Sequence, residues 1–386
     1  MSIADLMEPV DEQRRQVVGL AREVAQSEIV PNAARWDAEH TYPEHLDRKL
    51  AELGFFGMLI PEEFGGLGLD LVTYLMVIEE IAAASAAISV GLSVHNSLAA
   101  GMVLRHGSDA QRRRWLEPMA SGDVLAAFAL SEPDAGSDAA AVEVRAGREG
   151  TDWVLEGAKA WVTNGSRAHM VVVMARTDPK AHRKRGISAF LVPAATKGCV
   201  PQKPEDKMGL RASPTTGIVF QHAKVGSDAL LGAEGMGLNY ALEALDHGRL
   251  GIAAQAVGIA RSALDHSVRY AAERKQFDKP LTDFQAIQFK LADMATRVAA
   301  SRALLYEAAR IRMRGEPAVA LASMAKLMAS ESATWVTNQA VQVFGGYGYM
   351  RDYPVERLFR DAKVTEIYEG TSEVQRIIIA RALQED

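Results

Sequence analysis

Residues 284–298 read FQAIQFKLADMATRV, and their apolar side chains recur at intervals of three or four residues. The apolar positions of this segment are Phe284, Ile287, Leu291, Met294 and Val298. This spacing places all five side chains on one face of an α-helix. It predicts a long helix that packs into a bundle through a single apolar seam. On the following helix, we expect the large apolar side chains to continue the same core, namely Leu321, Met324, Met328 and Trp335.

The middle of the chain has a different pattern, because short β-branched segments separated by Gly, Pro and Asp replace the helical period. These segments are Trp153–Leu155, Met170–Met174, Ile187–Val192 and Gly217–Phe220. Before them, residues 70–106 are rich in Ala, Leu, Ile and Met and predict one or two core helices. We therefore predict a mostly α protein with a central β domain, divided into a helical domain at 1–120, a β domain at 121–232 and a helical domain at 233–386.

The composition limits the classes of function. The chain has 386 residues, which exceeds the size at which one core keeps growing, so several packed units are expected. The net charge of −6 and the absence of a long Lys/Arg block argue against a nucleic-acid surface. The short run Arg112–Arg114 follows Ser108 and Gln111, which predict a capping box at a helix start. A single cysteine, Cys199, excludes an internal disulfide and a cysteine-built metal site.

The sequence predicts neither a leader nor a membrane span. Met1–Val10 contains two acidic residues and lacks an apolar run, so we expect no signal or transit peptide. Apolar stretches such as Ile81–Leu92 are interrupted by Ser and Gly and fall short of a membrane-spanning length. The expected location is the bacterial cytoplasm, or the mitochondrial matrix if a leader has been removed.

A candidate general base lies near the C-terminus, in the stretch Ile367–Glu373. Glu369 is followed by Gly370, which suits a positive φ, and then by Ser372 and Gln375, which predict a capping box opening the last helix. A carboxylate on such a turn is held in place and can reach a substrate carbon. Taken alone, Glu369 is better explained as one more charge near a helix N-terminus.

Six segments in this order resemble the acyl-CoA dehydrogenase family, and most of all its short-chain, butyryl-type members. They are Ile60–Gly66, Phe128–Asp138, Trp161–Gly165, Arg274–Phe277, Gln342–Gly346 and the Glu369 turn. The resemblance implies an N-terminal helical domain, a middle β-barrel and a C-terminal four-helix bundle. It also implies an enzyme of fatty-acid β-oxidation with FAD as the electron sink, since no side chain can accept a hydride. No Gly-x-Gly-x-x-Gly motif supports a Rossmann-type flavin site.

The resemblance assigns residues to the flavin. It implies contacts near the ring and the substrate thioester from Phe128, Leu130, Ser131, Gly136, Ser137, Trp161, Val162 and Thr163. Phe128 stands where many members have tyrosine, and Ser131 replaces a frequent threonine but keeps the hydroxyl. The resemblance implies that the FAD diphosphate and adenosine are held across a subunit boundary, where a guanidinium suits a pyrophosphate. The residues implied there are Arg274, Phe277, Gln285, Gln342, Val343, Phe344, Gly345 and Gly346, with Thr371, Ser372 and Glu373 completing the cofactor set.

Such a shared site implies a homo-oligomer, expected to be a tetramer. Gly345 and Gly346 are alternatively explained as a simple helix terminator. For the substrate, the resemblance implies contacts from Ser137, Asp246, Arg249, Gln255 and Gly370. Asp246 and Arg249 are equally explained as an i,i+3 ion pair. His247 is expected to be structural or solvent-facing, and no metal site is predicted.

The resemblance also locates the base. Isovaleryl-type members carry their catalytic glutamate at the position of Gly248, so in this chain the base must come from Glu369. Glu369 would remove the α-proton of an acyl-CoA, the backbone N–H of the same residue would stabilise the thioester carbonyl, and the product would be a trans-2-enoyl-CoA. Gln255 is expected to close the acyl pocket, which favours C4 to C6 substrates; isobutyryl or 2-methylbutyryl groups are the alternative.

The implied electron acceptor is an electron-transfer flavoprotein. Direct reaction with oxygen, as in acyl-CoA oxidases, is the rival within this class. A catalytically silent protein that binds flavin or acyl-CoA is the rival from another class, because a fold does not fix a function.

Overall fold

The computed structural model describes residues 11–181 and 183–385. The expectation for Met1–Val10 lies outside these residues. The N-terminal part is helical. Its helices are α1 (Glu12–Val24), α2 (Ala33–Glu39), α3 (Glu44–Glu52), α4 (Leu71–Ala84), α5 (Ala86–Ser93), α6 (Gly101–His106) and α7 (Asp109–Ala120), with π-helical turns at Ala25–Ile29 and Val94–Ala100.

Side-chain caps define where several of these helices begin. Asp70 accepts a hydrogen bond from the Thr73 backbone N–H and starts α4. Ser108 and Gln111 form the reciprocal capping box that their sequence pattern predicted, and α7 follows it. The predicted core helices within 70–106 are confirmed, since nearly every residue of α4 and α5 is buried.

One continuous helical run, Ala86–His106, is long and apolar enough to cross a membrane, with a mean hydropathy of 1.4 over its best window. Its Ser and Gly residues do not interrupt it, so this run is longer than the sequence pattern suggested. However, 94% of that window is buried inside the molecule. A core helix of a globular protein passes the same test, so the run is weak evidence for a membrane span.

The middle part forms one eight-stranded sheet. The strands are β1 (Ala126–Ala129), β2 (Arg145–Glu149), β3 (Asp152–Val162), β4 (Met170–Arg176), β5 (Ile187–Pro193), β6 (Cys199–Pro201), β7 (Thr216–Val225) and β8 (Leu230–Leu231). Their order is β6-β7-β3-β2-β4-β5-β8, and β1 pairs in parallel with β4. Side chains of β4 alternate between two cores: Val171 and Val173 pack within the sheet domain, while Val172 and Met174 pack against the helices.

The C-terminal part is again helical, with a small hairpin of β9 (Lys275–Gln276) and β10 (Lys279–Pro280). Its helices are α8 (Gly237–Glu273), α9 (Gln285–Met313), α10 (Val319–Phe344), α11 (Val355–Val364) and α12 (Ser372–Glu385). The order helical, β, helical is therefore confirmed. The domain boundaries after residues 120 and 232 stay a prediction.

The apolar seam of α9 is present but uneven. Met294 and Val298 are fully buried, whereas Ile287 and Leu291 are only partly buried. Phe284 lies just before the first turn of the helix.

The prediction for α10 is confirmed in part, because Leu321 and Trp335 pack against the main core while other residues of the helix are buried more deeply. The fully buried positions are mostly small residues such as Ala325, Ala329 and Ala333, together with Lys326. Four large side chains remain only partly buried: Leu321, Met324, Met328 and Trp335. Small side chains let α10 approach α8 and α9 closely, and this close approach leaves the large apolar groups at the rim of the interface.

Candidate active site

The Glu369 turn connects α11 to α12. Glu369 itself has a φ of 50°, and Gly370 follows with a φ of 92°. A left-handed φ is ordinary for glycine but uncommon for glutamate, and such strain persists only where the surroundings hold it. The Ser372 backbone N–H closes the turn by donating to the Glu366 carbonyl at 2.9 Å.

The predicted Ser372–Gln375 capping box is wrong. Ser372 is the first helical residue of α12, so the cap is the residue before it. Thr371 Oγ1 accepts from the Val374 backbone N–H at 3.3 Å. Gln375 Nε2 instead donates to the Gly370 carbonyl at 2.9 Å and to the Glu369 carbonyl at 3.3 Å. Gln375 therefore supports the turn from the next helix.

The Glu369 carboxylate points into a charged, largely buried environment. Part of the residue is exposed, but Oε2 is buried and has no hydrogen-bond partner among the described residues. Burial raises the pKa of Glu369 to about 7, against the opposing positive charges of Lys326 and Arg249. An unsatisfied buried acceptor with such a pKa suits a general base that waits for a substrate proton.

Helix α8 passes directly beside this carboxylate at Gly248. A Cβ at position 248 would collide with Glu369 Oε2 and press against Leu98. A side chain at 248 and the carboxylate of Glu369 therefore cannot share this space. The arrangement leaves room for one acidic group, and in this chain Glu369 supplies it.

Several polar side chains near Glu369 are buried and hydrogen-bonded to one another or to the backbone. Gln255 is 1% exposed, and its Nε2 donates to the Ala86 carbonyl at 2.7 Å. The Tyr368 hydroxyl donates to Gln255 Oε1. Tyr74 OH donates to Ser93 Oγ at 3.2 Å. Gln255, a predicted site residue, is thus fixed by two partners.

Sequence reasoning missed three of these neighbours: Tyr74, Tyr368 and Lys326. Tyr368 precedes the base directly, which was an available signal. Lys326 is one of only two charged residues of α10, and it lies on the face of that helix that carries alanines. A lone lysine on a small-residue face was the signal for a buried charge. Tyr74 lies in the mostly apolar first half of α4 and offered no comparable signal.

The ion pair between Asp246 and Arg249 exists, as one of the two interpretations expected. Arg249 is buried, and Arg312 Nη1 donates to the Asp246 backbone carbonyl at 2.7 Å. Burial lowers the pKa of His247 to about 3, and the charges of Arg105 and Arg312 act in the same direction. His247 is therefore neutral. No cluster of metal-ligating side chains occurs in the ranges 11–181 and 183–385.

The predicted flavin segments of β1 and β3 lie side by side. Lys159 Nζ donates to the Leu130 carbonyl at 2.9 Å and to Glu132 Oε1 at 2.7 Å. The Ala160 backbone N–H donates to the Ser131 carbonyl at 2.9 Å. These contacts join Phe128–Ser131 to Trp161–Thr163 in one surface.

Trp161 is not a core residue, because it is 58% exposed and has a φ of 55°. Thr163, Phe128 and Ser131 are partly exposed. Leu130 and Val162 are buried, so their side chains belong to the core and only their backbone can contact a ligand. Gly136 and Ser137 form an exposed turn, and the lack of a side chain at Gly136 lets a ligand approach the backbone closely.

A separate set of predicted residues lies at the ends of α8, α9 and α10. Arg274 follows α8, and its guanidinium carbon lies 5.4 Å from the ring centroid of Tyr347. Phe277 is 88% exposed and has a φ of 50°. Gln285 and Gln342 are exposed as well. Gly345 ends α10 with a φ of 60°.

The role of Val343 and Phe344 in holding the cofactor stays a prediction. Both are buried, and Phe344 stacks on Tyr270 with ring centroids 4.0 Å apart. They belong to the core of the bundle, so only their backbone remains available. Gly345 and Gly346 have open space where a Cβ would project, as far as the described residues show. They both end the helix and leave its end accessible.

The exposed groups fit a flavin dinucleotide. A planar, solvent-exposed indole at Trp161 can cover an aromatic ring system. The guanidinium of Arg274 can bind a diphosphate, and the exposed glycines allow close backbone approach.

Comparisons with known proteins agree with this geometry. Three family sequence models match in order: acyl-CoA dehydrogenase N-terminal domain at 11–123, middle domain at 127–223 and C-terminal domain at 235–384. The short-chain specific acyl-CoA dehydrogenase of Bos taurus mitochondria is 49% identical over 93% of this chain and 87% of its own.

Two solved structures are also similar. Butyryl-CoA dehydrogenase from Megasphaera elsdenii has a TM-score of 0.96 at 40% identity, covering 98% of this chain and 100% of that one. A chain in a structure described as "Electron transferring flavoprotein of Acidaminococcus fermentans: Towards a mechanism of flavin-based electron bifurcation" has a TM-score of 0.96 at 42% identity, with coverage of 98% and 100%. The chain belongs to the acyl-CoA dehydrogenase family, whose members are FAD-dependent oxidoreductases acting on acyl-CoA.

Proposed function

We propose that this protein oxidises a short-chain acyl-CoA to the trans-2-enoyl-CoA, with Glu369 as the base that removes the α-proton. The observation that carries the proposal is the buried Oε2 of Glu369, which has no hydrogen-bond partner in the described part of the chain and lies beside Gly248. A pKa of about 7 keeps much of the carboxylate ionised near neutral pH while making it a stronger base than an ordinary glutamate.

The charge that develops on the thioester carbonyl needs donors that are already in place. We assign the backbone N–H of Glu369 to this role, because the turn is held by Gln375, Lys326 and the Ser372 N–H. Burial of the acyl chain against α8 would exclude water from the base and strengthen these interactions. We place Asp246, Arg249 and Ser137 along the path of the CoA arm.

FAD supplies the acceptor for the β-hydride when it is bound. We assign Ser131, Trp161 and Thr163 to its ring. We propose that five residues contact the diphosphate and adenosine of the FAD bound by a neighbouring subunit: Arg274, Gln285, Gln342, Gly345 and Gly346. The backbone of Thr371 to Glu373 would complete the cofactor site. The exposure of this second group supports a site that a second subunit completes, and we propose a homotetramer.

The fixed position of Gln255 supports a short substrate. Gln255 is held between the Ala86 carbonyl and the Tyr368 hydroxyl, so it cannot swing aside without leaving buried polar groups unpaired. We propose C4 to C6 acyl groups. The likeness to the bovine short-chain enzyme and to the Megasphaera butyryl-CoA dehydrogenase supports the same range.

We propose an electron-transfer flavoprotein as the electron acceptor, because the description of the structure that contains the similar Acidaminococcus chain names such a flavoprotein. The relatives include mitochondrial and bacterial proteins, so both the bacterial cytoplasm and the mitochondrial matrix stay proposed locations.

An anaerobic spectral titration of the purified holoprotein tests the proposal. Butyryl-CoA should bleach the flavin band rapidly, and octanoyl-CoA and isobutyryl-CoA should act more slowly. Faster bleaching by isobutyryl-CoA would favour the branched substrate class. Rapid reoxidation in air would favour an oxidase. A flavin band that none of the thioesters bleaches, or a colourless protein that FAD cannot reconstitute, would contradict the proposed reaction.

A further inference from the structure

We infer that Lys326 is a positioning residue for the reaction: it holds the turn that carries Glu369 and places a buried positive charge beside that carboxylate. The inference rests on the proposed role of Glu369. It concerns a residue of α10 that lies outside every segment of the family resemblance described above.

The geometry of the turn supports a holding role. Lys326 is fully buried, and its Nζ donates to the Gly370 carbonyl at 2.7 Å. Gln375 Nε2 donates to the same carbonyl at 2.9 Å. Two helices, α10 and α12, thus converge on one backbone oxygen next to a glutamate in a left-handed conformation. Strained backbone of this kind persists only when its surroundings determine it from several sides.

A hydrogen bond alone does not explain the choice of lysine. Burying an ammonium group is unfavourable unless an opposite charge or good hydrogen bonds compensate. Glutamine already serves the same carbonyl from α12 without any charge. What lysine adds is the charge, and Glu369 is its principal opposite charge.

The charges around the pair can be named from each element. Glu369 faces Lys326 of α10 and Arg249 of α8, and its charge also reaches Tyr74 of α4 and the adjacent Tyr368. Beyond Glu369, Lys326 faces Arg249, Glu366 and Glu373.

These charges oppose the effect of burial. Burial lowers the pKa of Lys326 to about 8 and raises that of Glu369 to about 7, so at neutral pH the lysine is largely protonated. The positive charge of Lys326 counteracts the rise in the pKa of Glu369 that burial causes. Without the charge of Lys326, the pKa of Glu369 would be higher still, and the carboxyl group would stay protonated, and inactive as a base, up to a higher pH than in the wild type.

Four variants separate charge from hydrogen bonding. Lys326→Gln removes the charge but keeps a donor, and Lys326→Arg keeps the charge. Gln375→Leu removes the second donor to the Gly370 carbonyl without changing charge. Lys363→Gln removes an exposed lysine whose Nζ lies 2.6 Å from Glu366, and serves as the matched control. The measurement is the pH profile of kcat and kcat/KM for butyryl-CoA, with flavin content and thermal unfolding as checks of folding.

Lys326→Gln should shift the acidic limb of kcat/KM upward by about one pH unit and lower kcat at neutral pH by roughly tenfold, with a smaller change in KM. Lys326→Arg and Lys363→Gln should keep the limb of the wild type. Gln375→Leu should lower kcat and leave the limb in place. An active wild type with an unmoved limb in Lys326→Gln would overturn the inference. A wild type that no acyl-CoA reduces would instead overturn the proposed function.

A second measurement covers the case in which Lys326→Gln does not fold. Carbon-13 at lysine Cε allows the titration of Lys326 to be followed by NMR in the wild type and in Glu369→Gln. Because coupling between two charges is reciprocal, loss of the Glu369 charge should lower the pKa of Lys326 below its value in the wild type. An unchanged titration would contradict the inference.

Discussion

The surroundings of Glu369 and the surface around Arg274 are both parts of the proposed active site, but they are built in opposite ways. Around Glu369, Gln255 has two partners within the chain and Lys326 is fully buried. Around Arg274, Phe277 is 88% exposed and Tyr349 85% exposed. The first region is ordered by its own chain, whereas the second leaves large aromatic side chains in solvent.

The difference corresponds to two roles: the region around Glu369 is proposed to carry out the reaction, and the surface around Arg274 is proposed to bind the cofactor. A base needs a fixed position and a tuned pKa, and tight packing of α8, α10 and α12 provides both. A dinucleotide must be able to enter and can be enclosed afterwards by a second copy of the chain. Substitutions near Glu369 should therefore change rates, and substitutions near Arg274 should change cofactor retention and assembly.

Glu369→Gln should have the largest effect. It should slow flavin reduction by butyryl-CoA by about 10³-fold or more, because the amide cannot accept the α-proton, while flavin content stays that of the wild type. Stopped-flow absorbance under anaerobic conditions measures both. Glu366→Gln, three residues earlier, serves as control and should reduce at the normal rate. Rapid bleaching of Glu369→Gln would remove Glu369 from the mechanism.

Gly248→Ala should be next, with a loss in flavin reduction on the order of 10²-fold, since the new Cβ collides with the carboxylate that must meet the substrate. The matched control is Gly19→Ala on α1, where a Cβ meets nothing within 4 Å among the described residues. Gly19→Ala should be neutral or slightly stabilising. Equal rates in the two variants would mean that the carboxylate does not occupy the space beside α8 during turnover.

Arg274→Ala tests the open region. It should weaken FAD retention by roughly 10- to 100-fold, as expected for loss of a charged hydrogen bond, and should leave the reduction rate of the remaining holoprotein nearly unchanged. Gel filtration with absorbance at the flavin band gives retention and assembly together. Arg269→Ala, an exposed arginine of α8, is the control. Full retention in Arg274→Ala would argue that the cofactor is gripped elsewhere.

Gln255→Gly should change selectivity more than rate. Opening the pocket should raise the ratio of octanoyl-CoA to butyryl-CoA activity by about tenfold, the size typical of a few methylene contacts. Gln16→Gly on the exposed face of α1 controls for the cost of glycine in a helix. An unchanged chain-length profile would refute the role of Gln255 as the pocket floor.

The pH dependence should be the smallest effect near neutrality. Glu369 acts only when deprotonated, and burial raises its pKa to about 7. Activity should therefore fall as pH drops through about 7, by about half at the pKa and then about tenfold per pH unit below it. Initial rates of butyryl-CoA oxidation against pH measure this limb. An acidic limb whose midpoint lies near the ordinary pKa of glutamate would show that burial does not raise the pKa of Glu369.

Local patterns predicted much of the fold. The capping box at Ser108 and Gln111, the β-branched segments of the middle domain and the helical period of α9 each depend on neighbours in sequence, and the structure contains all three. The Glu369 turn was also locatable, because glycine follows the carboxylate.

Other features depend on packing between distant elements. The burial of Lys326 follows from the close approach of α10 to α8, and the same approach leaves Trp335 at the rim. Phe344 is buried because Tyr270, from another helix, stacks on it. The cap of α12 is Thr371 because the helix begins one residue earlier than the Ser372 pattern suggests. A single sequence contains no direct signal for such distances.

Exchange of α-hydrogen in D2O tests the role of Glu369 most directly. Acetyl-CoA has an α-carbon but no β-carbon, so it can lose a proton to a base without hydride transfer. The holoprotein should incorporate deuterium into acetyl-CoA, measured by mass spectrometry, while Glu369→Gln should do so at least about 10²-fold more slowly. Equal exchange in the two proteins would contradict the assignment of Glu369 as the base.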